Sequence, residues 1–180
     1  MDKKFWFQLF GLVAVILLAT FLAFNRKYLI PLTSQLMKPT GQGIQDQSKQ
    51  TLKIQDSQGN LKAQINLELA DTPDKRSKGL GYRDSLSSGS GMLFIHDKTQ
   101  KYVYWMKGMK FPIDFIWILD DQIVDIKPDV PPPIAGQTDD TLERYGSVLP
   151  VNKVLETNAG FVEANNIQKG DKIIVENKSK

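Results

Sequence analysis

The sequence predicts a mainly β domain, a compact antiparallel sandwich or barrel with one or two short helices, preceded by a transmembrane helix. Three observations carry this. Apolar and polar residues alternate in short runs spaced roughly ten residues apart from residue 51 onward. No long amphipathic helical pattern interrupts them, which sets aside a doubly wound α/β fold. Residues 5–24 (FWFQLFGLVAVILLATFLAF) form one uncharged run with only Gln8 and Thr20 clearly polar.

As a helix that run spans roughly 30 Å, one hydrocarbon thickness. A core helix would show a polar face, and a signal peptide would end its apolar stretch at small residues. Here Ala23 follows Leu22 and Phe21, so an uncleaved anchor is the expectation. Lys3 and Lys4 precede the run while Arg26 and Lys27 follow it, so the positive-inside count is nearly even. The free amine tips it toward an inner N-terminus, with the domain outside the cytoplasmic membrane. Residues 25–50 contain Pro31, Pro39, Gly41 and Gly43 among Gln and Ser. They read as a flexible linker reaching on the order of 25 Å.

The 180 residues hold 23 Lys plus Arg, 20 Asp plus Glu, one His and no Cys. Without cysteine, thiolate catalysis, disulfides and Cys-ligated metal centres are excluded, and one histidine cannot build a multi-His site. Setting aside the four basic residues and one acid of residues 1–27 leaves 19 of each sign. That balance argues against nucleic acid as a partner, because phosphate neutralisation needs clustered Lys and Arg. No cofactor is expected.

The globular domain is expected over residues 51–177. Leu52 and Ile54 alternate with polar residues, SQGN (residues 57–60) supplies a turn, and Ile65, Leu67 and Leu69 resume the period of two, forming a hairpin with one buried side. Thr72 followed by Pro73 is an N-cap and first-turn signature, so a short helix should run to about Lys78 and stop near Gly79 and Gly81. Residues 91–96 (GMLFIH), 101–106 (KYVYWM), 111–119 (FPIDFIWIL) and 122–127 (QIVDIK) are strand candidates, with a turn at Asp120 and Asp121. PDVPPP (residues 128–133) should leave the sheet as a surface loop. Residues 151–157 read as a strand, 159–165 as one or two helical turns, and 172–176 as a closing strand after Gly170 and Asp171.

Arg76, Gly79-Leu80, Arg83, Leu86, GMLF at 91–94, WMK at 105–107, Pro112, Asp114, Val154-Leu155-Glu156, Ala159-Gly160 and Gly170-Asp171 occur in one order and spacing. As a set, they resemble the uncharacterised bacterial and archaeal family called domain of unknown function 192, over about residues 62–176. The resemblance implies a small jelly-roll-like or barrel-like β domain, often secreted or membrane-tethered, and implies no reaction. The family commonly has Asn-Thr after WMK, where this chain has Gly108-Met109.

Two carboxylates stand out. Asp114 lies within an apolar strand, where burial demands a partner; it is either a structural ion-pair member or a shifted acid/base. Glu156 admits the same two readings. If they met in one cleft, they would supply the carboxylate pair of glycoside hydrolysis. Arg76 and Arg83 offer bidentate geometry for a carboxylate or phosphate, or clamp the helix to the sheet. Tyr102 and Tyr104 share one strand face and Val103 and Trp105 the other. Core packing is the default for Trp105, and the exposed aromatic set with Lys107 would form a platform for sugar rings, with Tyr145 at its rim. His96 reads as a strand-end polar residue. The acidic turns have no Ca²⁺-loop spacing, and no metal site is expected.

The expected function is therefore a membrane-anchored, extracytoplasmic, non-catalytic module binding a small molecule, glycan or protein at the cell envelope. Its ligand-binding candidates are Arg76, Arg83, Trp105, Lys107 and Tyr145. The alternatives are an envelope hydrolase using Asp114 and Glu156, or a structural or assembly factor whose GMLF and WMK strands contact a partner.

Overall fold

The computed structural model describes residues 50–176. The expected membrane anchor, residues 5–24, and nearly all of the expected linker lie outside the described residues. Among the described residues no helix is long and apolar enough to cross a membrane.

Seven strands close a barrel in the order β1 (Gln50–Gln55), β2 (Leu61–Ala70), β3 (Ser90–Gln100), β8 (Val151–Asn158), β5 (Ile113–Leu119), β6 (Gln122–Val130), β9 (Lys172–Glu176) and back to β1. A separate two-stranded ribbon pairs β4 (Val103–Tyr104) with β7 (Tyr145–Gly146). Two short helices complete the fold, α1 (Pro73–Lys78) and α2 (Phe161–Ala164). The architecture is thus a closed barrel rather than an open sandwich. It is not wholly antiparallel, since β2 and β3 run parallel, with Leu67 opposite Gly91 and Ala70 opposite Phe94. A parallel pair needs a crossover connection, and residues 71–89, carrying α1, provide it.

β5 explains the architecture best. Its sequence IDFIWIL is buried at its first six positions, the continuous apolar pattern of a strand covered on both faces. Ile116 and Ile118 point inward with Leu52, Ile54, Ile65, Leu93 and Leu155, filling the barrel interior. Phe115 and Trp117 point outward into a second core with Met92, Phe94 and Val154, covered by Leu80 and Leu86 from the crossover and by Met106, Met109 and Tyr145. The barrel is therefore packed solid, and its β3–β8–β5 flank carries an extra layer made of loops.

Local signals account for most elements. The Thr72 side chain accepts from the Lys75 N–H at 3.3 Å and Pro73 opens α1. The expected strand at 101–106 shrinks to Val103–Tyr104. Conversely, β6 runs through Pro128 to Val130 instead of ending before the prolines. At that end β6 pairs only with β5, because its contact with β9 is confined to Gln122 and Lys172. Proline is tolerated on such an unpaired edge. Asp129 there has φ of 53° and turns its N–H toward Asp114 Oδ1, 2.9 Å away.

Candidate functional site

A cleft of about 290 Å³ opens on the outer layer between the crossover and the segment around the ribbon. One wall is the end of α1 and the turn after it, Arg76 to Gly81; the other is Tyr102 to Trp105 with Lys107 and Met109. Phe94, His96 and Glu156 complete the lining. The crossover turn can approach this closely because of its glycines. Gly79 has φ of 49°, and a Cβ on Gly81 would lie 3.2 Å from the Lys107 carbonyl oxygen.

Glu156 lies on β8, on the same outward face as Val154 and opposite Met92 of β3 and Phe115 of β5. The residue is only 5% exposed, yet it lines the cleft, and its carboxyl has no hydrogen-bond partner among the described residues. Burial pushes its pKa up to about 8, against the opposing pull of the Arg83 guanidinium. At neutral pH it is largely a carboxylic acid, able to donate as well as accept.

Above it sits a polar aromatic group. His96 Nε2 shares a 2.8 Å hydrogen bond with the Tyr104 hydroxyl, and its ring stacks on Tyr102 with centroids 3.5 Å apart. Burial first, and then the charge of Arg76, hold the His96 pKa below its usual value, so the imidazole is neutral. Burial raises the Tyr104 hydroxyl well above the ordinary tyrosine range. Tyr104 also meets Phe94 edge-on at 5.2 Å, tying the cleft wall to the outer core.

Arg76, Trp105, Lys107 and Glu156 line the same cleft. Arg76 is anchored there by Nη1, which donates to the carbonyls of Asp71 (2.9 Å) and Ile95 (2.8 Å). Trp105 is 38% exposed and Tyr104 is packed, which reverses the expectation that Trp105 is the core member of this strand. The Arg144 guanidinium lies 4.0 Å from the Trp105 ring centroid and Lys107 Nζ 5.2 Å from it. Lys107 is also paired with Asp139.

The other candidates lie elsewhere. Arg83 forms a two-pronged pair with Glu68 of β2 at 2.8 and 2.9 Å. Tyr145 is buried, stacked on Phe115 at 5.6 Å and donating to Glu143 Oε2 at 2.9 Å. It faces a different hollow of about 190 Å³, shared with Met106, Leu142 and Pro131 to Pro133. Asp114 is fully buried on the opposite face of β5 from Phe115. Its carboxylate accepts from the backbone N–H groups of Asp129 (2.9 Å), Gly160 (3.3 Å) and Val162 (2.8 Å). It thereby caps α2, whose N-cap Gly160 has no side chain to do so.

Asp114 and Glu156 therefore project from opposite faces of one sheet, and the carboxylate pair of the hydrolase reading does not form. The geometry also separates the structural motifs from the rest. Gly170, with φ of 97°, leads into Asp171, which holds Lys62 at 2.8 Å and the Gln168 N–H at 2.7 Å. The GMLF segment is buried, and of WMK only Trp105 and Lys107 reach the surface. His96, read from sequence as a strand-end polar residue, is the unforeseen member of the cleft, because its hydrogen bond to Tyr104 depends on a ribbon that local pattern does not specify. No group of three or more His, Asp or Glu that could hold a metal occurs among the described residues.

A family model described as an uncharacterised ACR, DUF192, matches residues 53–175. Two solved structures are similar. One, from Sinorhizobium meliloti 1021 and described only provisionally as a transcription regulator, is 29% identical with a TM-score of 0.62, covering 70% of this chain and 92% of that one. The other, a protein of unknown function from Novosphingobium aromaticivorans DSM 12444, is 25% identical with a TM-score of 0.60, covering 69% and 83%. No curated protein matches the sequence.

Proposed function

The chain belongs to the DUF192 family, and we propose that its barrel is a non-catalytic binding module of the cell envelope, tethered through residues 5–24 to the cytoplasmic membrane with the barrel outside. In this reading the cleft over Glu156 takes a saccharide or a comparably small polar ligand. The observation that carries it is the Glu156 carboxyl, buried at the edge of a cleft without a hydrogen-bond partner among the described residues. A ligand hydroxyl would supply the hydrogen bond that no protein group gives this carboxyl. Trp105 and Tyr102 add ring surface to the same walls, and sugar rings present apolar C–H faces to such aromatics.

A cleft near 290 Å³ is at the small end of ligand sites, which suits one or two rings rather than a long chain. The balanced charge of the domain gives no support to carrying over the regulator description of the Sinorhizobium protein. An assembly role resting on the GMLF segment is disfavoured because that part of β3 is buried.

Calorimetric titration with a panel of envelope mono- and disaccharides tests the binding reading, with tryptophan emission as a second readout. Saturable heat that disappears in Trp105→Ala is expected; a folded protein giving neither heat nor emission change with any sugar would sink the proposal. For the tether, the full chain is expected in the membrane fraction, with the barrel accessible to protease only from the outer side.

A further inference from the structure

The charges around the cleft are lopsided. Arg76, Lys78 and Lys107 line it, and Glu156 is the only acid among the lining residues. Lys78 has no ionic partner among the described residues, and Arg76 uses only Nη1 in its two backbone bonds. Behind Glu156 stands a fourth cation, Arg83, already committed to Glu68. A cationic ligand would meet this positive rim, whereas an anion would be drawn to it.

We infer that the ligand of this cleft is a carboxylate-bearing saccharide, its carboxylate held at the rim by Arg76 and Lys78 while the Glu156 carboxyl hydrogen-bonds a hydroxyl of the ring. This rests on the saccharide-binding reading above and specifies its ligand class. An ionised Glu156 would place a second negative charge in a poorly hydrated site facing the sugar acid, so binding requires the neutral form.

The groups facing Glu156 support one titration in the neutral-to-alkaline range. From α1 and the crossover come Arg76, Lys78 and Arg83, the last held charged by its hydrogen bonds to Glu68; from β3 comes His96, neutral there because burial lowers its pKa. The ribbon side contributes Tyr104, which stays protonated because burial raises its pKa, and Lys107, held charged by Asp139. Facing Glu156 on β5 is Phe115, which does not titrate.

The test titrates the full chain with glucuronate and galacturonate disaccharides, their neutral counterparts and a glucosamine disaccharide, each at about pH 7 and about pH 9. With Glu156 titrating near pH 8, the competent fraction, and so the affinity for the acid sugars, falls about tenfold between these conditions. Glu156→Gln keeps a donor and should bind the acid sugars equally at both. Lys78→Ala, an exposed change, should weaken acid sugars several-fold and leave neutral ones unchanged. Neutral sugars binding as tightly as acid ones, glucosamine binding best, or an unchanged pH profile in Glu156→Gln would overturn the inference while leaving saccharide binding intact. Absence of binding by every sugar would overturn the binding reading and this inference together.

Discussion

The ring of Tyr82 lies across Gly108 so closely that a Cβ on that glycine would sit 2.9 Å from Tyr82 Cζ. The two residues are also joined by the backbone, the Tyr82 N–H donating to the Gly108 carbonyl at 2.7 Å. Both have positive φ, 64° at Tyr82 and 70° at Gly108. Family members commonly carry Asn at the Gly108 position, a residue that tolerates the left-handed region. Gly108→Ala should therefore cost about 1 kcal/mol, and Gly108→Asn less, with the exposed Tyr82 ring swinging outward. Urea denaturation of both variants checks the order; equal losses would mean that ring contact, not backbone conformation, dominates.

Asp114→Asn should destabilise the barrel by about 3 kcal/mol, because one of two carboxylate oxygens becomes an NH₂ facing backbone donors. Ligand affinity should be unaffected at temperatures where the variant is folded, since Asp114 faces away from the cleft. A loss of affinity without a loss of stability would contradict the placement of this residue.

Stability should fall as pH rises from about 4.5 toward about 8, through Glu156. Between its ordinary value and its raised one, the folded state holds a proton that the unfolded state has released. The stabilisation is complete below the ordinary value and is lost as pH rises through the folded one. Glu156→Gln should remove this slope and gain on the order of a few kcal/mol at about pH 9, with little effect at about pH 4. Thermal melts of both proteins across this range make the comparison, and parallel curves would refute it.

Gly91→Ala should cost about 1–3 kcal/mol by overpacking the barrel interior. A Cβ there would meet Ile65 Cδ1 at 2.8 Å and Leu155 Cδ1 at 3.2 Å. Adding Ile65→Val should recover part of the loss in the same denaturation experiment; strict additivity would show that the methyl groups do not meet.

The extent of the fold that was legible follows from the kind of information each element needs. α1 announces itself in Thr72 and Pro73 because capping is local. β5 and β3 read as strands from apolar runs, but their two-sided burial shows only once the loops are seen to cover one flank. The parallel pairing of β2 with β3 was hidden, since nothing in either strand records the direction of its neighbour. For the same reason Asp114 and Glu156 looked alike in sequence: both are single acids in apolar strands. Register separates them, setting Asp114 opposite Thr157 and Phe115 opposite Glu156, so that one acid turns inward and the other outward.

The first and last described strands are neighbours, β1 and β9 pairing from Thr51 with Glu176 to Gln55 with Lys172. The ring of strands thus has a seam formed by the two ends of the domain, and the chain enters and leaves at the same end of the barrel. Neither strand is a dispensable extension: removing β9 would bare the long edge of β1 and expose Ile54 and Leu52, inviting pairing with another copy. The order of strands around the ring, by contrast, does not depend on where the chain begins. A circular permutant joining Glu176 to Gln50 and opened in the 56–60 turn would keep every neighbour that each strand now has.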